Sequence, residues 1–244
     1  MKPVVLRDGL ELHAPGGVYI PGERTLVIAD VHAGYTHTLR SRGYGVPGDA
    51  EHGLLARLRA LRSSVNPTRV VIAGDLVHGA AAARGDDDSP LAYFLAALAD
   101  LEVTVVLGNH DHAIGEWLCA RGVRAVRDVA IGPFRVHHGD DPERVRVLRD
   151  EALDAGGRVL LGHLHPAVWL EGDAGVRALL PAFVTARGVL CLPALSPYAR
   201  GVDVRDARMR EDLRALAGDV EMGVACVIAG RTVVALGVIL PAEG

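Results

Sequence analysis

Four short phrases hold most of the side chains that could do chemistry: "ADVH" at 29–32, "AGDLVHG" at 73–79, "GNHDH" at 108–112 and "LGHLHP" at 161–166. The adjacent pair His137–His138 adds a fifth cluster. The clusters follow apolar runs such as "TLVI", "RVVI", "VTVVL" and "GRVLL". Such runs seek burial, so the polar residues sit where buried strands stop. Asp30 and His32 close one strand, Asp75 a second, Asn109 and His110 a third. His137 and His138 close a fourth, and His163 and His165 follow a fifth. Parallel neighbouring strands would bring these ends into one pocket rich in imidazole and carboxylate. A single histidine at a strand end is ordinary surface chemistry, but five such ends call for a ligand. The set contains no cysteine, which argues against a thiolate-type structural zinc site. Mixed nitrogen and oxygen donors suit Mn, Fe or Zn. The donors are too many for one ion, and two ions about 4 Å apart need a bridging carboxylate, for which Asp75 is the central candidate.

The elements that must position these residues alternate in the first half. Strands are expected at 25–29, 69–73 and 103–107, with helices at 50–63, from Ser89–Pro90 to 99, and at 113–120. Residues 33–48 read as a loop, Asp49 as a helix cap, and 79–88 as a linker ending in a solvated "DDD" turn. This is the α/β pattern. The second half carries short strands near 124–126, 129–131, 134–138, 158–162, 167–170, 176–180 and 188–192. A charged helix spans 142–154 and a surface helix 205–216, and "AGRT" turns a hairpin between 224–229 and 232–239. Without a repeat or a clear linker, residues 1–244 read as one domain with two sheets.

Composition narrows the partners. Lys plus Arg total 26 against 30 Asp plus Glu, a formal charge of −4, which argues against a general nucleic-acid coat. Cys119, Cys191 and Cys226 are far apart in apolar text, which predicts reduced core thiols. The first residues lack the apolar core of a signal peptide, and no stretch is apolar enough to span a membrane. A cytoplasmic protein with no membrane partner is the expectation.

The ordered motifs "DVH…GD…GNHD…HG…GHLH" resemble the calcineurin-like metallophosphoesterases. That resemblance implies a four-layer α-β-β-α sandwich with two mixed sheets. It implies two metal ions, the first held by Asp30, His32 and His165, the second by Asn109, His138 and His163, with Asp75 bridging. Strand alternation lets only one of His137 and His138 face the metal; the motif selects the residue before Gly139, leaving His137 to face the core or a helix. His110 falls at the position of the noncoordinating catalytic histidine. Two ions neutralise phosphate charge and activate water for in-line attack.

The text "RGYGVPG" at 42–48, "GHLHPAV" at 162–168 and "LCLPALSPYARGVDV" at 190–204 is similar to the bacterial DNA ligase-associated phosphoesterases. This implies a phosphodiesterase or endonuclease acting on DNA or RNA in repair, with Mn²⁺ ahead of Fe or Zn. It also implies association with an ATP-dependent DNA ligase, a helicase and an exonuclease-like protein. A homodimer is a further expectation, with "LPAF" and "LCLPAL" as either its interface or core strands. A small-molecule phosphodiesterase or phosphomonoesterase is the alternative activity, and a noncatalytic scaffold is disfavoured because every motif residue is intact. Asp111 is a candidate orienter of His110, or else a cap of the following helix. His78 could shape the phosphate pocket, and Arg40 or Arg42 could grip a second phosphate or a backbone.

Overall fold

The computed structural model describes residues 3–46, 50–79, 89–172, 175–218 and 224–238. The Asp49 cap, most of the 79–88 linker and the "DDD" turn lie outside them. The first sheet has seven strands in chain order: β1 (Val4–Val5), β2 (Glu11–His13), β3 (Gly17–Ile20), β4 (Thr25–Ile28), β5 (Arg69–Ala73), β6 (Glu102–Val106) and β7 (Arg124–Val126). β1 to β4 are antiparallel, whereas β4 to β7 run parallel, so the sheet is mixed. The second sheet contains β8 (Asp128–Ile131), β9 (Phe134–His137), β10 (Val159–Leu161), β11 (Pro166–Glu171) and β12 (Arg177–Ala186). It is completed by β13 (Val189–Cys191), β14 (Val202–Asp203) and the hairpin β15 (Val224–Ala229)–β16 (Thr232–Val238).

Both sheets bury their facing sides against each other. Val27, Ala29, Val71 and Val106 of the first meet Phe134, Val136, Leu160, Phe183 and Leu190 of the second. The opposite face of the first sheet is covered by α2 (Ala50–Val65), α3 (Pro90–Ala96) and α4 (Gly115–Cys119). Leu54, Leu58 and Leu61 of α2 recur at helical spacing and are all buried, each contributing about 1.5–3 kcal/mol. α5 (Pro142–Asp154) and α6 (Ala207–Ala217) cover the second sheet, α6 through Met209, Leu213 and Leu216. The result is the four-layer α-β-β-α sandwich. Caps behave as their chemistry dictates: Ser89 Oγ accepts from the Ala92 amide at 3.1 Å, and Asp141 accepts from Arg144.

Several expectations need correction. Residues 33–48 are not all loop, because α1 (Tyr35–Ser41) forms there behind the left-handed Gly34. The helix expected at 113–120 shortens to α4, since residues 111–114 are used in a turn. The strand expected at 176–180 runs on to Ala186. Its first half pairs with β11 and its second with β13 and β15, so a long run of backbone is satisfied. Cys119 is exposed, because it falls on the outer side of α4, whereas Cys191 and Cys226 are buried. Of the two alternatives left open for the "LPAF" and "LCLPAL" text, Phe183, Leu190, Leu192 and Leu195 take the core one, being buried within the chain.

Candidate metal centre

Parallel pairing decides where the motif residues meet. β4, β5 and β6 end side by side, so Asp30, Asp75 and Asn109 leave from one edge. In the second sheet β9 and β10 are parallel in the register Leu161↔His137, which sets His138 beside His163. The strand ends are then sharply turned. Asp30 (φ 52°), His32 (φ 47°), Asp75 (φ 48°), His163 (φ 68°) and His165 (φ 46°) all take left-handed conformations that disfavour residues other than glycine. Strain gathered at the proposed ligands is a functional signature, because the surrounding backbone must over-determine it. Here the amides of Asp30, His32 and Ala33 donate to the carbonyls of Gly74, Asp75 and Leu76 at 2.8–3.1 Å, which holds the two turns together.

Two groups of donors result: Asp30, His32 and His165, and Asp75, His138 and His163. In the first, His165 Nε2 lies 3.3 Å from Asp30 Oδ1 and 3.5 Å from His32 Nε2. In the second, His138 Nε2 lies 3.1 Å from His163 Nδ1, 3.0 Å from Asn109 Oδ1 and 3.4 Å from Asp75 Oδ1. His138 Nδ1 is directed to the Ala73 carbonyl at 3.1 Å. In the neutral ring that bond takes the proton, so the Nε2 lone pair faces the oxygens of Asn109 and Asp75. Converging acceptors without a donor fit a cation. Asp75 faces both groups: Oδ1 points to His138, and Oδ2 is 3.9 Å from His32 Nε2. Asn109 thus joins the second group.

The electrostatics suit the same chemistry at His32 and His163, whereas at His165 a metal must displace the proton that Asp30 favours. Burial pushes His32 down to about 4, against the pull of Asp30, and burial also lowers His163. Both are therefore neutral near pH 7, the form that ligates. Burial alone would raise the Asp30 carboxyl, but the hydrogen bond from His165 and the fields of His165, His138 and His32 bring it below its ordinary value. Burial likewise opposes a charge on His165, yet Asp30 and the backbone bond at Arg200 raise its pKa. Glycines admit these side chains: a Cβ at Gly74 would sit 2.1 Å from His138 Nδ1.

His110 lies at the mouth. Its amide donates to Asp75 Oδ1 at 3.0 Å, and its half-exposed ring keeps Nε2 3.9 Å from Asp75 Oδ2. His78 packs beside it, with ring centroids 5.6 Å apart, and also contacts His32 and Tyr35. Arg42 is close enough to help lower the His78 pKa, after burial and His110. Arg40 instead donates from Nε to the Val46 carbonyl. His137 is buried away from both groups, and its Nδ1 accepts from the Gly139 amide at 2.9 Å.

Asp111 is a correction. Its carboxylate neither orients the His110 ring nor caps α4. It accepts from the amides of Leu76 (3.1 Å), Val77 (3.1 Å) and Gly108 (3.0 Å), stapling the loop after β5 to that after β6. A buried carboxylate with three backbone donors is a structural clamp. Burial raises its pKa while the three amides pull the other way. Two further residues near the centre lie outside the metal motifs: Tyr198, stacked on Tyr35 with ring centroids 6.3 Å apart, and Arg57 of α2, which donates to the Leu195 carbonyl. Isolated residues without a motif leave no sequence signal.

Residues 23–184 match the sequence profile described as calcineurin-like phosphoesterase, about two-thirds of the chain. The chain belongs to the calcineurin-like phosphoesterase family. It is a metal-dependent phosphoesterase, and the family's fold implies divalent metal ions at the two donor groups. The nuclease MPE of Pseudomonas putida superposes with a TM-score of 0.69 at 26% identity, over 96% of this chain and 99% of that one. Yfce, a phosphoesterase of E. coli, gives a TM-score of 0.41 at 17% identity, over 88% of this chain and 97% of that one. No curated protein matches the chain. Among the described residues no helix is long and apolar enough to cross a membrane.

Proposed function

We propose that this calcineurin-like phosphoesterase is a nuclease of the cytoplasm that hydrolyses DNA or RNA phosphodiesters in repair, as one domain over residues 1–244. The observation that carries this is the likeness to a Pseudomonas putida nuclease across nearly the whole of both chains. Asp30, His32 and His165 would hold one ion, and Asn109, His138 and His163 the other, with Asp75 between them. The ions, Mn²⁺ by family resemblance, would supply charge neutralisation and an activated water. The chain's own groups do the rest. Asp75 sets the spacing of the two groups through its two oxygens. The Ala73 carbonyl keeps the His138 proton on Nδ1. His110, half-exposed at the mouth, can place Nε2 against the phosphate or the leaving oxygen and transfer a proton there. The resemblance to ligase-associated phosphoesterases supports a working association with an ATP-dependent DNA ligase, a helicase and an exonuclease-like protein.

The −4 charge favours a second reading, a small phosphodiester substrate, because a long duplex meets many basic contacts. One panel separates them: single-stranded DNA, duplex DNA, RNA, 2′,3′-cyclic nucleotides and bis-p-nitrophenyl phosphate, each with Mn²⁺, Zn²⁺ and Mg²⁺. Asp75→Ala is the control for contaminating activity. Salt-sensitive, Mn²⁺-dependent cleavage of single strands, absent in Asp75→Ala, is expected. Turnover of small diesters with no wild-type-specific cleavage of any polymer would sink the nuclease reading.

A further inference from the structure

One charged group beside the centre has no role in the chemistry above. Arg57 of α2 is half-buried, and its Nη1 donates to the Leu195 carbonyl at 3.0 Å. Leu195 and Ser196 are in turn fixed to the first motif, through amide bonds to the carbonyls of Ala29 (2.8 Å) and Asp30 (3.1 Å). The guanidinium is therefore tied by backbone to the strand end that carries Asp30. Other arginines of the chain find carboxylates: Arg62 pairs with Asp100, Arg144 with Asp128 and Arg205 with Asp203. Arg57 pairs with none among the described residues. Burial lowers its pKa against the opposing pull of the Tyr198 phenol. A partly desolvated cation without an anion is unfavourable unless a ligand completes it.

Arg57 lines a cleft of about 280 Å³ with Arg200, Ser196, Pro197 and His165. His165 belongs to the first donor group, so the cleft borders the metal centre at that residue. Arg200 is exposed at its rim, and its backbone is the hydrogen-bond partner of His165.

We propose that this cleft is a subsite for a second phosphate of the substrate, adjacent to the one at the metal centre, held by Arg57 with help from Arg200 and Ser196. The inference rests on the phosphoesterase site and deepens the nuclease reading, because neighbouring phosphates are what a nucleic-acid strand presents and a lone diester lacks. A guanidinium fixed on one nitrogen keeps other N–H donors in the planar fork that matches phosphate oxygens. Ser196 lines the same cleft, and its Oγ, which accepts from the Tyr198 amide at 3.4 Å, still has its own hydroxyl proton to donate.

The test uses inhibition of bis-p-nitrophenyl phosphate hydrolysis with Mn²⁺. The inhibitors are a thymidine dinucleotide with its single internal phosphate and the same dinucleotide with an added terminal phosphate, at the 5′ or 3′ end. In the wild type the added phosphate at one end should tighten inhibition by about 10–100-fold, the scale of one charge-assisted pair. Arg57→Gln should remove that gain, Arg57→Lys should retain part of it, and Arg200→Gln should reduce it. The single-phosphate dinucleotide serves as the internal reference: a variant that merely distorts the centre weakens both inhibitors equally and keeps the gain. No gain in the wild type, or a full gain in Arg57→Gln, overturns the proposal. The readout does not require any polymer to be cut, so it fails independently of the nuclease reading.

Discussion

Gly108 offers the sharpest test of how the two loops form the centre. It precedes Asn109 and packs against the proposed bridge. A Cβ there would lie 2.4 Å from Asp75 Oδ1, 2.5 Å from the Asp75 amide nitrogen and 3.0 Å from His138 Cδ2. Nonbonded carbon–oxygen contacts settle near roughly 3.3 Å, so Gly108→Ala must push the Asp75 carboxylate or its own loop by roughly 0.9 Å. Asp75 cannot retreat freely, since Oδ1 also accepts the His110 amide. Overpacking of this kind costs about 1–3 kcal/mol of stability. The larger effect is on geometry: a displacement near 1 Å lowers turnover on the order of 10²-fold. Gly22→Ala is the control, because open space surrounds its Cβ. Turnover of bis-p-nitrophenyl phosphate, metal content by elemental analysis and Tm should be measured together. The expected result is lower metal content and about 10²-fold lower turnover with a modest fall in Tm. Wild-type metal content and turnover in Gly108→Ala would refute the claim that close packing of this loop sets the Asp75 position.

Replacing His110 with Ala should leave metal content intact and lower turnover by roughly 10²–10⁴; loss of a metal would make it a ligand, and normal turnover would remove it from the chemistry. Asp111→Ala leaves the amides of Leu76, Val77 and Gly108 without their acceptor, at about 1–3 kcal/mol for each group left unsatisfied. A clear drop in Tm is expected, and an unchanged Tm would contradict the clamp. In metal-stripped protein, His32 is one of the buried histidines, with His163, through which pH acts on stability. An unfolded His32 takes up its proton near 6.5, while the folded ring stays neutral down to about 4, so stability falls as pH drops from 6.5 towards 4. His32→Asn should therefore show a shallower decline of Tm over that range, and parallel curves for the two proteins would refute the assignment.

Much of the centre was legible because ligand chemistry is local in the text. Asp30, Asp75 and Asn109 each follow a Val- and Ile-rich run, and a parallel strand of that kind has one end at which loops gather. Adjacent side chains on a strand point to opposite faces, so only one of His137 and His138 can face the centre, and the resemblance to the family motif, with the ligand before Gly139, picked out His138. Other features depended on partners distant in sequence. The extension of β12 to Ala186 arises because β11, β13 and β15 meet different parts of it, and no window of the chain contains all three. Asp111 looked like a partner for its neighbour His110, yet its oxygens are used by amides 34 and 35 residues away as well as by Gly108. Arg57 carries no motif, and only the packing of α2 against the loop after β13 brings it to the centre. Periodicity and residue type record what a side chain can do within its own element; which group it meets is decided when separate elements close on one another, by volume and by the need to satisfy every buried polar atom.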